Sequence, residues 1–191
     1  MGVSGGADST YVAYLAKRLG LRPLAVHFDN DWNSELAVSN IESALRRTGT
    51  ELFTVVANWP AFRDLQLSFL KASVPDAEIP TDRAIWAVLY QTAVRSGVRY
   101  ILSWTNLATE SILPKSWPNG VTDWRYIMSI HRRFGNPTRS VPHCRLSRSA
   151  YYVLARRIRT VSILNAIDYD ATHCRRAGAR NRLAGLRRKA S

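Results

Sequence analysis

Six residues near the amino terminus, Ser4-Gly5-Gly6-Ala7-Asp8-Ser9, have the types and spacing to hold a chain of phosphates. Two adjacent glycines let the backbone come close to phosphate oxygens, and successive amide N–H groups can form a concave nest. Ser9 opens a helical pattern with Tyr11, Val12, Leu15 and Leu19 on one stripe, so the positive end of a helix points at the same place. The Ser4 and Ser9 hydroxyls can donate to phosphate, and Asp8 can position a metal or orient the loop. The same residues could form no more than a glycine-rich turn that caps a helix. The strand–helix alternation that follows favours the phosphate reading. The loop contains no lysine, which separates it from the phosphate loops of kinases and GTPases.

The elements that must position this loop follow in order. Leu24 to Phe28 is a short apolar run ending in Asp29-Asn30, as suits a buried parallel strand. Asn33 or Ser34 can cap a second helix through Leu36, Ile41, Ala44 and Leu45, with Gly49 as its stop. Leu52 to Val56 is the next strand, and Pro60 opens a helix carrying Phe62, Leu65, Phe69 and Leu70. Thr81 or Asp82 starts a helix through Ile85, Val88, Leu89 and Ala93, and Val98 to Ser103 is a further strand. Asp123 precedes a helix ending at Gly135; Leu146 to Ile158 reads as another helix, and Val161 to Leu164 as a short strand. Strands alternating with helices predict an α/β fold, a parallel doubly wound sheet with helices on both faces. Ligands of such sheets bind at the carboxyl ends of the strands, which selects the loops 3–9, 29–34 and 103–111.

Composition sets the outer limits. A chain of 191 residues with 46% hydrophobic content is long enough for one domain with its own core. No apolar run approaches the roughly 20 residues of a membrane span, and the first residues form no signal peptide. Cys144 and Cys174 are far apart and make neither a disulfide framework nor a zinc site. The expectation is a cytoplasmic protein without a membrane partner. The net charge of +13 is unevenly placed: residues 1–138 hold 14 basic and 12 acidic side chains (+2), residues 139–191 hold 13 and 2 (+11). The folded body therefore carries no broad basic surface that would call for nucleic acid. Domain 1–170 is expected to fold, and 171–191, rich in Arg, Ala and Gly, to form a basic disordered tail.

The loop Ser4–Ser9 resembles the SGGxDS motif of the N-type ATP pyrophosphatases, the PP-loop enzymes with an adenine nucleotide alpha hydrolase-like fold. Three longer stretches are similar to the N-acetyl sugar amidotransferases of lipopolysaccharide, O-antigen and related surface glycan biosynthesis: Leu24 to Asn33, Phe69 to Asp82, and Asn106 to Trp117. Ile130-His131 and Phe134-Gly135 add to the likeness, which covers residues 2–170. It implies ATP and Mg²⁺ as cofactors, a sugar-nucleotide substrate, and a glutaminase subunit supplying ammonia. ATP would adenylate an amide oxygen, and ammonia would displace AMP to give an acetamidino group.

On that likeness Ser4, Gly5, Gly6, Asp8 and Ser9 hold the nucleotide, with Asp8 also a candidate Mg²⁺ ligand. Asp8, Ser9 and Glu110 are the catalytic candidates. Asp29 can meet adenosine or simply end its strand, and Asn106 follows another strand end. Asp82 can meet substrate or cap its helix, and His131, beside Arg132 and Arg133, can meet an anionic sugar nucleotide or lie on a solvated face.

The chain departs from that family in three places. Only Met1-Gly2-Val3 precede the loop, so the first strand is truncated. Trp104 stands where the family has glycine, and its indole would obstruct a backbone approach. The family's ending breaks off after Asn165 to Tyr169. These departures predict an incomplete member, inactive or nearly so. Two other readings remain: a PP-loop tRNA-modifying enzyme whose basic tail grips the phosphate backbone, and a non-catalytic fragment.

Overall fold

A computed structural model describes residues 1–106, 123–136 and 151–167. Glu110, both cysteines, most of the 106–117 stretch and the 171–191 tail lie outside the described residues. In chain order the elements are α1 (Ala7–Arg18), β1 (Ala25–Asp29), α2 (Glu35–Thr48), β2 (Leu52–Val56), α3 (Trp59–Lys71), α4 (Ile79–Arg95), β3 (Tyr100–Ser103), α5 (Trp124–Phe134) and β4 (Arg159–Ser162).

All strand pairs are parallel. β1 pairs with β2 from Ala25↔Leu52 to Asp29↔Val56, and β3 pairs with β4 from Tyr100↔Arg159 to Ser103↔Ser162. Strand alternation sends successive side chains to opposite faces. Ala25 packs with Val12 and Ala13 of α1 and Ile41 and Leu45 of α2, and Leu102 joins that cluster. The next residue along, Val26, packs with Leu89 and Ala93 of α4, and Ile101 joins it there. Helices therefore cover both faces, as the doubly wound pattern requires. A third cluster, with Leu65, Phe69, Ile127 and Ile130, joins α3 to α5.

Local signals explain most helix ends. The Ser34 hydroxyl accepts from Ala37 N–H at 3.2 Å, and Gly49 closes α2 in the left-handed region at φ 67°. Asn58 caps α3 by accepting from Ala61 N–H at 3.3 Å, and Asp123 caps α5 by accepting from Arg125 N–H at 2.8 Å. α4 begins at Ile79, earlier than Thr81 or Asp82. Pro80 suits a first turn, where its missing N–H costs nothing. The helix expected over 146–158 is, in its described part, a single π turn at Tyr151–Ala155. A Tyr-Tyr-Val run is a modest helix former, and Tyr152 is held instead by stacking on Tyr90, 5.6 Å between centroids at 9°.

Met1–Val3 lie against β1 as a short parallel strand. Gly2 bridges Val26 in parallel; Val26 N–H donates to Met1 C=O at 2.8 Å and Val3 N–H to Val26 C=O at 2.9 Å. The Met1 amine donates to Leu24 C=O at 2.7 Å. Burial lowers that amine from its ordinary 8.0 to about 6. The folded chain thus resists a proton that the unfolded chain accepts between these values. Stability should therefore rise as pH is raised from about 6 to 8, by on the order of 2 kcal/mol. Urea midpoints at pH 6 and pH 8.5 measure this; acetylating the amine should flatten the difference, and an equally steep dependence after acetylation would contradict the assignment.

Candidate functional site

The 4–9 loop runs from Val3, at the carboxyl end of the short first strand, into α1. Gly5 sits at φ 74°, and a Cβ there would also collide with the Ala37 carbonyl of α2. Both constraints demand glycine at this position. Gly6 is different: it is the N-cap of α1 in extended geometry, and a Cβ would meet only Ser4 Oγ at 3.5 Å. No side chain caps α1. First-turn amides have no intrahelical acceptor, so the start of α1 offers N–H groups and a positive helix end to an anion.

The hydroxyls divide their work. Ser9, 1% exposed, accepts from Ser4 N–H at 3.3 Å and donates to Gly6 C=O at 3.2 Å, so its Oγ braces the loop from inside. Thr10 donates to the same carbonyl at 2.8 Å. Ser4 is exposed, with its Oγ 3.3 Å from that of Ser9. Asp8 lies in the first turn of α1, where a carboxylate interacts favourably with the helix dipole.

Two residues that sequence reasoning passed over hold this loop. Asn40 of α2 donates from Nδ2 to Gly5 C=O at 3.3 Å. His27, buried within β1, donates from Nδ1 to Val3 C=O at 3.0 Å. A lone histidine in an apolar strand was the available signal for His27; nothing local marks Asn40, because its role is tertiary.

The other candidates have these surroundings. Asp29 ends β1, and its Oδ1 accepts from Asp31 N–H at 3.1 Å and Asn33 Nδ2 at 3.0 Å, so it shapes the 29–33 turn. That turn leaves Trp32 61% exposed, edge-to-face with Trp59 of α3 at 5.9 Å. Asn106, 3% exposed, follows β3, whose end is tied to β4 through Thr105 Oγ1 and Ser162 Oγ at 2.9 Å. Asp82 lies in the first turn of α4. His131 is 1% exposed, and its Nε2 meets Asp64 Oδ2 of α3 at 2.9 Å. Asp64 also accepts from Asn136 N–H at 2.9 Å, so this imidazole clasps α5 to α3 and does not face solvent with Arg132 and Arg133. The Trp104 indole folds down on Gly2, where a Cβ would collide with it, and packs against both sheet-face clusters. It covers the short first strand.

The described residues form a parallel α/β fold with helices on both faces and a glycine loop at the start of the first helix. A search of solved structures gives a neighbour with that architecture: the predicted subunit of tRNA methyltransferase from Methanocaldococcus jannaschii, with a TM-score of 0.51 and 15% identity over 94% of this chain and 76% of the other. At that identity the likeness is one of fold. No family model matches the chain, and no curated protein matches it.

Two measurements test the site's construction. Gly5→Ala should cost about 2 kcal/mol or more by chemical denaturation, and Gly6→Ala less than about 1 kcal/mol. Equal costs would mean that the loop is not built on Gly5. His131→Ala and Asp64→Ala should each cost about 2 kcal/mol, and a double-mutant cycle should show coupling of about 1 kcal/mol or more. Strict additivity would break the clasp.

Proposed function

We propose that the chain binds ATP through the 4–9 loop and adenylates an acceptor oxygen. The uncapped start of α1 beneath a glycine at positive φ is the observation that carries this reading. The acceptor oxygen attacks the α-phosphorus, the bond to the bridging oxygen breaks, and pyrophosphate departs into the amides of the loop. The adenylated oxygen then leaves as AMP when a nitrogen or sulfur nucleophile displaces it. An oxygen that is a poor leaving group becomes a good one, and the loop's contribution is to stabilise the charge gathering on pyrophosphate.

Mg²⁺ fits as a partner of the phosphates. No group of three or more His, Cys, Asp or Glu side chains that could hold a metal occurs among the described residues. Mg²⁺ commonly needs only one or two carboxylates beside substrate phosphates, and Asp8 in the first turn of α1 is the candidate. When bound, the ion would offset phosphate charge; the protein's share is to orient the phosphates and Asp8.

Two acceptors have support. A tRNA nucleoside fits the fold neighbour, a predicted tRNA methyltransferase subunit, and fits the +11 balance of residues 139–191, which suits a phosphate backbone. The acetamido group of a sugar nucleotide, with ammonia from a glutaminase partner, rests on the likeness of the 69–82 and 106–117 stretches. The fold neighbour and the charge together favour the tRNA reading.

Calorimetry with MgATP tests the shared step. Asp8→Ala should weaken binding by about 1–3 kcal/mol, the loss of a charge-assisted contact. Unchanged affinity in Asp8→Ala and in Gly5→Ala would end the loop assignment. Pyrophosphate–ATP exchange with tRNA or with an N-acetylated sugar nucleotide then separates the acceptors. For tRNA, affinity should fall steeply with salt, and removing residues 171–191 should flatten that slope.

A further inference from the structure

Part of the positive charge of residues 139–191 belongs to the folded body. Arg156, Arg157 and Arg159 stand at the start of β4. A hydrogen bond from Arg159 N–H to Arg99 C=O at 2.8 Å brings them beside the turn that joins α4 to β3. That turn adds Arg99, and the last turn of α4 adds Arg95. Residues 83–106 and 151–167 hold three arginines each and not one Asp or Glu.

Between the two turns lies a cavity of about 240 Å³, with Gly97, Val98 and Arg99 on one side and Ala155, Arg156 and Ile158 on the other. Arg95, Arg99, Arg156, Arg157 and Arg159 are all exposed. None has an ion pair or a side-chain hydrogen bond among the described residues. Like charges gathered without a carboxylate repel one another, and an anion placed among them removes that cost. Guanidinium forks match phosphate oxygens two at a time.

The backbone points the same way. Arg157 sits at φ 53°, in the left-handed region that glycine or asparagine fills with less strain. Strained positions of this kind cluster where ligands are held. Arg159 lies opposite Tyr100 in the register, so guanidinium and phenol ring share one sheet face, and both are exposed. Exposed rings beside exposed guanidiniums suit RNA, with phosphates taken by arginine and unpaired bases stacked on the ring.

We propose that the cavity between the 97–99 and 155–158 turns is a phosphate-binding site, and that the phosphates it takes are those of an RNA backbone. The rim decides the source. A pocket for a small free ligand encloses most of that ligand, whereas these guanidiniums are spread over exposed surface. Leu24, Val98 and Tyr100 line one cleft at the amino ends of β1 and β3, so the arginines lie at the opposite end of the strands from the 4–9 loop. A folded RNA is large enough to reach both ends. The site extends the tRNA reading of the function and rests on it only for the identity of the RNA; its test needs neither ATP nor turnover.

Fluorescence anisotropy of the full chain with bulk tRNA, without ATP, is the test. Arg99→Gln combined with Arg156→Gln should weaken tRNA binding at near-physiological salt by about tenfold or more. The slope of log affinity against log salt should fall by about 1–2. Arg46→Gln combined with Arg47→Gln removes equal charge from the exposed end of α2 and should leave affinity and slope close to the parent. Arg157→Gly should weaken tRNA binding by about threefold while raising the melting temperature by about 2 °C, because strain is relieved as a phosphate contact is lost. That variant decides if the Arg99/Arg156 pair of substitutions fails to fold. Equal losses in the two double variants would overturn the site, since affinity would then follow net charge alone. Inorganic phosphate that shifts the Gly97 and Arg156 amides and is not displaced by tRNA would overturn the RNA assignment. Pyrophosphate exchange that depends on tRNA, with tRNA affinity unchanged in the Arg99/Arg156 variant, would sink this site and leave the tRNA reading standing. Lost affinity in that variant, with exchange that follows the sugar nucleotide, would keep the site and remove tRNA as the acceptor.

Discussion

The structure depends on how three residues are held between two pairs of strands. Met1, Gly2 and Val3 make two backbone hydrogen bonds to Val26 and one amine contact to Leu24, and from Val3 the chain passes directly into the 4–9 loop. A strand buried in the middle of a sheet normally gains its position from ladder bonds on both edges. Here the shortfall is met by side chains. The His27 imidazole takes the Val3 carbonyl, and Trp104 lies across Gly2, joining the clusters on the two sheet faces. An indole supplies by burial what missing backbone bonds do not, since a tryptophan side chain buries roughly 200 Å².

This arrangement changes the meaning of Trp104. Read in the sequence, it stands as an obstacle at a position suited to close backbone approach. In the fold it is turned down onto the first strand, and Gly2 is the residue that makes room. The glycine and the tryptophan are a pair: a side chain at position 2 would displace the indole that covers it. The same logic applies higher up, where Gly5 makes room for the Ala37 carbonyl and α2 can then reach in with Asn40. The loop is thus placed from below by β1 and from the side by α2, and its hydroxyls are largely engaged in that placement.

What could be read from the sequence follows a physical division. Elements with local signals were legible nearly to the residue: Ser34 and Gly49 frame α2, β2 spans Leu52–Val56, and Asp123 and Gly135 frame α5. The alternating β–α order made the doubly wound sheet legible as well. Errors fall where tertiary contacts outweigh local preference. Residues 151–155 form one π turn because Tyr152 stacks on Tyr90, and α4 starts early because Pro80 is accepted in its first turn. The 4–9 turn into α1 and its glycines were legible from spacing alone. Asn40, His27 and the Asp64 partner of His131 were not, because each acts across a distance of 24 or more residues.

The 4–9 loop joins the short first strand to α1, where a glycine pair and an uncapped helix start leave backbone amides open. Ligands of such sheets are met around the carboxyl ends of the strands. There the described residues present Trp32 against Trp59, the carboxylate of Asp29 bound into its own turn, and the first turn of α4 with Asp82. A 15% identical chain reproduces the fold over most of this one's length, so the sheet and helices tolerate nearly complete replacement. Side chains on these rims are therefore free to differ while the sheet and helices keep their arrangement.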